Sequence, residues 1–164
     1  MPLTLRPATA ADAALVLRFI MELAEYERLA HEVVATEDDL ARTLFGATPA
    51  AEVVLAAWDG ADVGFALFFP SYSTFLARPG IYLEDLYVRP SHRGRGIGLG
   101  LLRHLAGLAC ARGDGRLEWS VLDWNAPAIR FYESVGAVPL ADWTRFRVTG
   151  PALAALAGST GAAR

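Results

Sequence analysis

The sequence predicts an α/β (α+β) domain in which helices pack on a mixed, mostly antiparallel sheet. Three observations carry this expectation. Apolar runs of strand length alternate with stretches of helical period, a β-hairpin signature stands in the first half, and a glycine-rich turn joins a long strand to a leucine-rich helix. The elements read βααβββαβαβ.

"LTLRPAT" begins with a strand from Leu3 to Arg6, turns at Pro7 and enters a helix capped by Thr9 with Asp12 three positions on. The apolar stripe of that helix is Leu15, Phe19, Leu23 and Tyr26. "TEDDL" starts a second helix, with Thr36 as its cap and acids in the first turn, where the helix dipole favours negative charge. It ends near Gly46. "VVLAAW" and "VGFALFF" then form a hairpin through Asp59-Gly60. "PSYSTFLARPG" reads as a loop and "IYLEDLYV" as a third long strand.

A helix follows from about Leu99 to Ala111, with Leu102, Leu105, Ala106 and Ala109 on its packed face. "LEWSVL" is a strand, and Asn125 caps "APAIRFYESVG", a helix with an early proline that stops at Gly136. "WTRFRV" reads as a last strand, before a short helix. Residues 1–157 are expected to form one domain and residues 158–164 a disordered tail.

At 164 residues such a domain buries roughly two-thirds of its unfolded surface without a metal or disulfide staple. The single cysteine, Cys110, falls on the apolar side of its predicted helix and reads as a buried, inert thiol in a reducing compartment. A formal charge of −3 without a basic cluster argues against nucleic acid as a partner. The N-terminus lacks a signal-peptide pattern, and no stretch reaches the ~20 apolar residues of a membrane span. A cytoplasmic protein is expected. The histidines His31, His92 and His104 form no metal-ligand set.

"RGRGIG", residues 93–98, exposes backbone N–H groups between a strand and a helix, which suits it to an anion. It does not fit the dinucleotide fingerprint G-x-G-x-x-G, and the chain contains no Gly-Lys pair for a nucleoside-triphosphate loop. What is present is Arg93-x-x-Gly96-x-Gly98. Here consecutive amides of Gly94, Arg95, Gly96, Ile97, Gly98 and Leu99 can converge on a pyrophosphate at a helix N-terminus, with Arg93 and Arg95 supplying charge at the rim. A plain strand-to-helix turn is the alternative reading of these residues.

This pattern resembles the acetyl-coenzyme A loop of the GCN5-related N-acetyltransferase (GNAT) superfamily. The likeness extends through "RPATAADAALVLRFIMELAEYE", "TEDDL", "IYLEDLYVRPSHRGRGIG" and "VLDWNAPAIRFYESVGA", which look like the diamine (spermidine/spermine) acetyltransferase branch. "YSTF" and "VLDWN" look closer to its thialysine-acetylating members. The resemblance implies the GNAT fold with helices on both sheet faces, acetyl-CoA as co-substrate, transfer of its acetyl group to a small cationic amine by direct attack in a ternary complex, and a homodimer.

Freeing a primary amine with a pKa near 10.4 at pH 7 costs about 4.6 kcal/mol, so an acyltransferase must bind or generate the neutral base. Glu84 is the candidate for that deprotonation, directly or through water, and the resemblance places it in the active site. Asp85 points to the other strand face unless a bulge intervenes. Free amides at Leu86 and Val88 could stabilise an oxyanion, and the resemblance has the strand edge from Leu86 through Tyr87 to Val88 pair with the pantetheine arm. By sequence alone Tyr132 reads as core packing; the resemblance makes it the general acid for the departing thiolate. Asn125 is a helix cap and, by resemblance, a partner of the pantetheine, with Ala126, Pro127 and Ala128 lining the same channel.

On the acceptor side the resemblance points to Tyr26 and Glu27, with Glu118 and Trp119 on the strand opposite. Glu27, Glu84, Asp85 and Glu118 together would attract a cation, although each alone reads equally as a surface acid. After Tyr72, polyamine-type members carry an acid where this chain has Ser73. That departure favours thialysine or a lysine-like amine over spermidine, with a short diamine next. Polyamine or protein N-acetylation, or acyl-CoA sensing without catalysis, are the alternatives.

Overall fold

The computed structural model describes residues 2–158, and the expected tail from Ser159 onward lies outside them. The chain forms two compact units, one ending at Leu122 and one beginning at Asp123. The first unit holds β1 (Leu3–Pro7), α1 (Ala13–Tyr26), α2 (Glu37–Phe45), β2 (Glu52–Trp58), β3 (Ala61–Ser73), β4 (Arg78–Val88), α3 (Ile97–Arg112) and β5 (Leu117–Trp119). The second holds α4 (Ala126–Ser134) and α5 (Gly150–Leu156).

Local signals start these elements where their chemistry requires. Asp12 accepts from the Thr9 amide at 2.8 Å in a 3-10 turn that leads into α1, and Arg6 binds the same carboxylate through two nitrogens at 2.8 and 2.9 Å. At α2, Thr36 and Asp39 cap one another reciprocally, the Thr36 hydroxyl accepting from the Asp39 amide at 3.2 Å and Asp39 from the Thr36 amide at 3.1 Å. Asp59 and Gly60 both take positive φ, 50° and 83°, as a two-residue hairpin turn demands.

The sheet order is β1-β2-β3-β4-β5; the first four strands are antiparallel, and β5 runs parallel to β4. On one face Val16, Phe19 and Leu23 of α1 and Leu40 and Leu44 of α2 pack on Val53, Leu55, Phe65, Leu67 and Tyr87. Phe19 stacks on Phe65 with ring centroids 5.6 Å apart. Alternation sends the buried residues Val54, Ala56, Ala66, Phe68, Ile81 and Leu83 to the other face, and α3 packs against β2, β3 and β4. Helices therefore cover both faces.

Several expectations are corrected. The segment 70–80 is not a loop: β3 and β4 continue as a ribbon to Ser73↔Arg78, closed by the Leu76 amide donating to the Ser73 hydroxyl at 3.2 Å. Pro70 is tolerated because it stands past Phe68, the last β3 residue paired with β2. Trp143–Val148 forms no strand; Trp143 and Phe146 are exposed, and no described residue supplies a ladder partner. "LEWSVL" contributes only Leu117–Trp119 to the sheet.

Cys110 is exposed, as is Ala106, because the buried stripe of α3 is Ile97, Leu101, Leu102, Leu105 and Ala109. One residue beyond Leu105 or Ala109 is a turn of about 100° off that stripe. Tyr26 is likewise exposed at the end of α1, whose buried residues are Ala13, Val16, Phe19 and Leu23. No described helix is long and apolar enough to cross a membrane.

Candidate active site

The glycine turn is held open by its backbone. β4 ends at Val88, a 3-10 turn spans Pro90–His92, and α3 starts at Ile97 with Gly96 as its N-cap. Gly94 and Gly96 have φ of 76° and 78°, a region costing an L-residue about 1–2 kcal/mol, and a Cβ on either would meet nothing within 4 Å. Glycine is therefore required for conformation rather than space, and the turn faces open surroundings. No side chain caps α3, so the first-turn amides of Ile97, Gly98 and Leu99 lack intrahelical partners and carry the positive end of a sixteen-residue helix. These residues fit a diphosphate.

The arginines of the turn lie on aromatic rings. Arg93 donates from Nε to the Val88 carbonyl at 2.8 Å, and its guanidinium carbon stands 4.6 Å from the Tyr26 centroid and 5.7 Å from that of Tyr87. Arg95 lies 5.5 Å over Trp58. Between the end of α1 and Arg89–Arg93 runs an open cleft of about 620 Å³, lined by Tyr26, Tyr87, Ser91 and Arg93 among others. Its lining also includes Glu22, which pairs with Arg89 at 2.8 Å, and Glu25.

Among the described residues no strand pairs with the outer edge of β4 beyond Leu83. β5 pairs only with Ile81, Tyr82 and Leu83. The Arg89 amide donates to the Val63 carbonyl at 2.9 Å, and alternation along the antiparallel ladder then turns the backbone groups of Leu86 and Val88 away from β3. The Arg93 bond to the Val88 carbonyl comes from that outer side.

A bulge at Glu84 gathers the carboxylates. Leu83 pairs with Phe68 and Asp85 with Leu67, which leaves Glu84 as the extra residue. Asp85 thereby moves to the face of Tyr82 and Tyr87, the face covered by α1, whose last residues are followed by Glu27. Burial first, then the charges of Glu84 and Glu27, push the Asp85 carboxyl up to about 7. Burial and Glu84 also hold Glu27 above the usual carboxylate range. Among the described residues neither hydrogen bond nor ion pair reaches any of the three acids.

The fourth predicted acid stands apart. Glu118 pairs with Arg116, Oε2 to Nε at 3.4 Å. Its register partner is Tyr82, whose hydroxyl lies 2.8 Å from that of Ser120. Residues Arg116, Glu118 and Ser120 alternate onto the Tyr82 face, while Trp119, opposite Leu83, alternates to the other. The reading of the sequence singled out neither Arg116 nor Ser120; the signal was the two-residue period of "RLEWS". Ser73, expected in a groove-lining loop, is buried at the end of β3.

In the second unit Asn125 caps α4, its Oδ1 accepting from the Ala128 amide at 3.4 Å, with Ala126 and Pro127 in the first turn. The Tyr132 ring lies 5.4 Å from that of Phe131.

An α-helix-flanked mixed sheet whose fourth strand loses its partner beside a bare-amide turn is the framework of an acyl-CoA-using transferase. The sequence model of the acetyltransferase (GNAT) family matches residues 19–137, and the chain belongs to that family. It is an acetyltransferase. The chain is 40% identical over 165 residues to thialysine N-epsilon-acetyltransferase of Bos taurus, covering 94% of this chain and 96% of that protein. It is 34% identical to L-ornithine N5-acetyltransferase NATA1 of Arabidopsis thaliana, covering 93% of this chain and 86% of that one. Among solved structures, an integron cassette protein from the mobile metagenome of V. cholerae superposes with a TM-score of 0.80 at 30% identity, over 96% of this chain and 98% of the other.

Proposed function

We propose that this protein transfers the acetyl group of acetyl-CoA to the primary amine of a small cation, a thialysine- or lysine-like amino acid first and a short diamine second, by direct attack in a ternary complex. The observation that carries this reading is the unpaired carboxylate group of Glu27, Glu84 and Asp85 beside a bare β4 edge and an anion-binding turn. Three acids without a cation of their own favour an ammonium guest. That relatives are named for thialysine and L-ornithine supports an amino acid as that guest.

Acetyl-CoA supplies the activated thioester. In this reading the turn from Arg93 to Leu99 holds its diphosphate, and Asn125 to Ala128 line the pantetheine channel. Glu84, exposed at the bulge, accepts the amine proton directly or through water. The outward amides of Leu86 and Val88 stabilise the developing oxyanion, and Tyr132 donates a proton to the leaving sulfur. Tyr26, Glu27, Asp85 and Glu118 form the acceptor side, while Trp119, expected beside them, stands on the opposite face of the sheet and outside it.

The family match runs across both compact units, which supports one acetyltransferase domain through residue 157. A cytoplasmic homodimer completes the reading. The test is acetyl-CoA consumption with thialysine, lysine, ornithine, putrescine, spermidine and a peptide. Turnover with the first four supports it, and turnover with the peptide alone rejects it.

A further inference from the structure

The face of β4 and β5 that carries Glu84 continues away from the reacting end as a row of polar groups. Gly80, Tyr82 and Glu84 follow one another on β4, while Glu118 of β5 and its flanking residues Arg116 and Ser120 stand beside them. The ladder between the two strands already includes Arg116, whose carbonyl accepts from the Ile81 amide at 3.0 Å. A Cβ on Gly80 would lie 3.2 Å from Arg116 Cγ, so the arginine stem runs over Gly80 on this same face.

We propose that Arg116 and Glu118 form the head-group subsite of the amine groove, where Arg116 takes the α-carboxylate and Glu118 the α-ammonium of an amino acid whose side-chain amine reacts at Glu84. This rests on the function proposed above and names the substrate class within it.

Three features support the assignment. Spacing is the first: two residues along a strand and one strand across separate Glu84 from Glu118 by roughly 8 Å between Cα atoms. The five bonds from a lysine side-chain nitrogen to its Cα span roughly 6 Å. One extended substrate therefore reaches both ends.

Charge is the second. The Arg116–Glu118 contact is a single one of 3.4 Å between side chains 42% and 31% exposed, a loose pair in water-accessible surroundings. An amino-acid head exchanges that one pair for two, arginine with carboxylate and glutamate with ammonium. The second ammonium of a diamine meets only a pair that is already neutral. The acids at the reacting end attract both classes alike, so discrimination falls to Arg116.

The third is an unsatisfied polar atom. The hydroxyl of Ser71, cross-strand from Gly80, is buried without a hydrogen-bond partner, and a Cβ on Gly80 would approach it to 2.8 Å. It lies under the Arg116 stem, and a shift of that stem toward a bound carboxylate would open the hydroxyl to an acceptor.

The experiment compares matched substrates: L-lysine with cadaverine and L-lysinamide, and L-ornithine with putrescine. In the wild-type enzyme kcat/KM should favour each amino acid over its diamine and its amide. Arg116→Met should lower kcat/KM for the amino acids by roughly 10- to 100-fold, as expected when a charged group loses its partner, and should not lower it for the diamines or the amide, because Glu118 freed of Arg116 still meets their second ammonium. Glu118→Gln should weaken lysine and lysinamide together. Retained diamine turnover certifies that the variants are folded. Equal losses for lysine and cadaverine in Arg116→Met, or none for either, overturn the subsite. Failure of the wild-type enzyme to acetylate any of these amines overturns the proposed function itself.

Discussion

Arg93 reaches back from the glycine turn to the end of α1: its guanidinium carbon lies 4.6 Å from the centre of the Tyr26 ring, and its Nε donates to the Val88 carbonyl at 2.8 Å. One side chain thus ties the glycine turn, the open end of β4 and Tyr26 together. Arg93→Ala should cost about 1–2 kcal/mol of stability, from a half-exposed cation–π contact and one charged hydrogen bond. KM for acetyl-CoA and for the amine should both rise, and Arg93→Lys should restore little because an ammonium lacks the planar fork. If steady-state kinetics show KM rising for acetyl-CoA alone, the arginine serves the diphosphate and does not couple the two ends.

Gly96 is held at φ 78° with empty space where a Cβ would project. Gly96→Val should leave the circular dichroism spectrum unchanged while weakening acetyl-CoA binding by at least about 10-fold in calorimetry, since a β-branched residue resists the left-handed region and tilts the first-turn amides. Unchanged affinity would remove the turn from the binding site.

Asp85 makes the stability of the protein depend on pH. Its folded carboxyl is raised to about 7, above the unfolded value near 3.9, so the folded state holds the extra proton between these limits. The stability this contributes is complete below about pH 4 and is lost as pH rises through 7. Asp85→Asn should therefore match the wild type near pH 4 and exceed it at pH 8, by an amount on the order of 2–4 kcal/mol, in urea titrations run at both pH values. A cationic substrate should narrow that gap by compensating the charge. Parallel stability curves for the two proteins would reject the buried, crowded carboxylate.

Tyr132→Phe should lower kcat by about 100-fold, the scale of a lost general acid, with the dissociation constant for acetyl-CoA unchanged. Single-turnover rates together with equilibrium binding separate the two. An unaltered rate would return Tyr132 to a packing role.

What was legible in the sequence was local. The Thr36 cap, the Asp59-Gly60 hairpin and the helix that follows the glycine turn each depend on a few consecutive residues whose backbone preferences suffice, although α3 begins at Ile97, two residues before the expected start near Leu99. Where partners were distant, the reading failed. Residues 70–80 carry Pro, Ser and Gly like a loop, yet pairing between β3 and β4 overrides those preferences. Cys110 has the composition of a core residue, and only the side from which α3 meets the sheet shows it to be exposed.

By itself the sequence determined the order of elements as far as α4, the bare-amide turn and the residue types available for acyl transfer, because strand alternation, helix caps and glycine conformations are properties of short stretches of chain. Tertiary structure alone decided the bulge that brings Asp85 to the face of Tyr82, the burial that raises its carboxyl, and the alignment of Arg116 and Glu118 along the same row. Register between strands sets these, and register depends on groups far apart in the chain that meet only when the sheet forms.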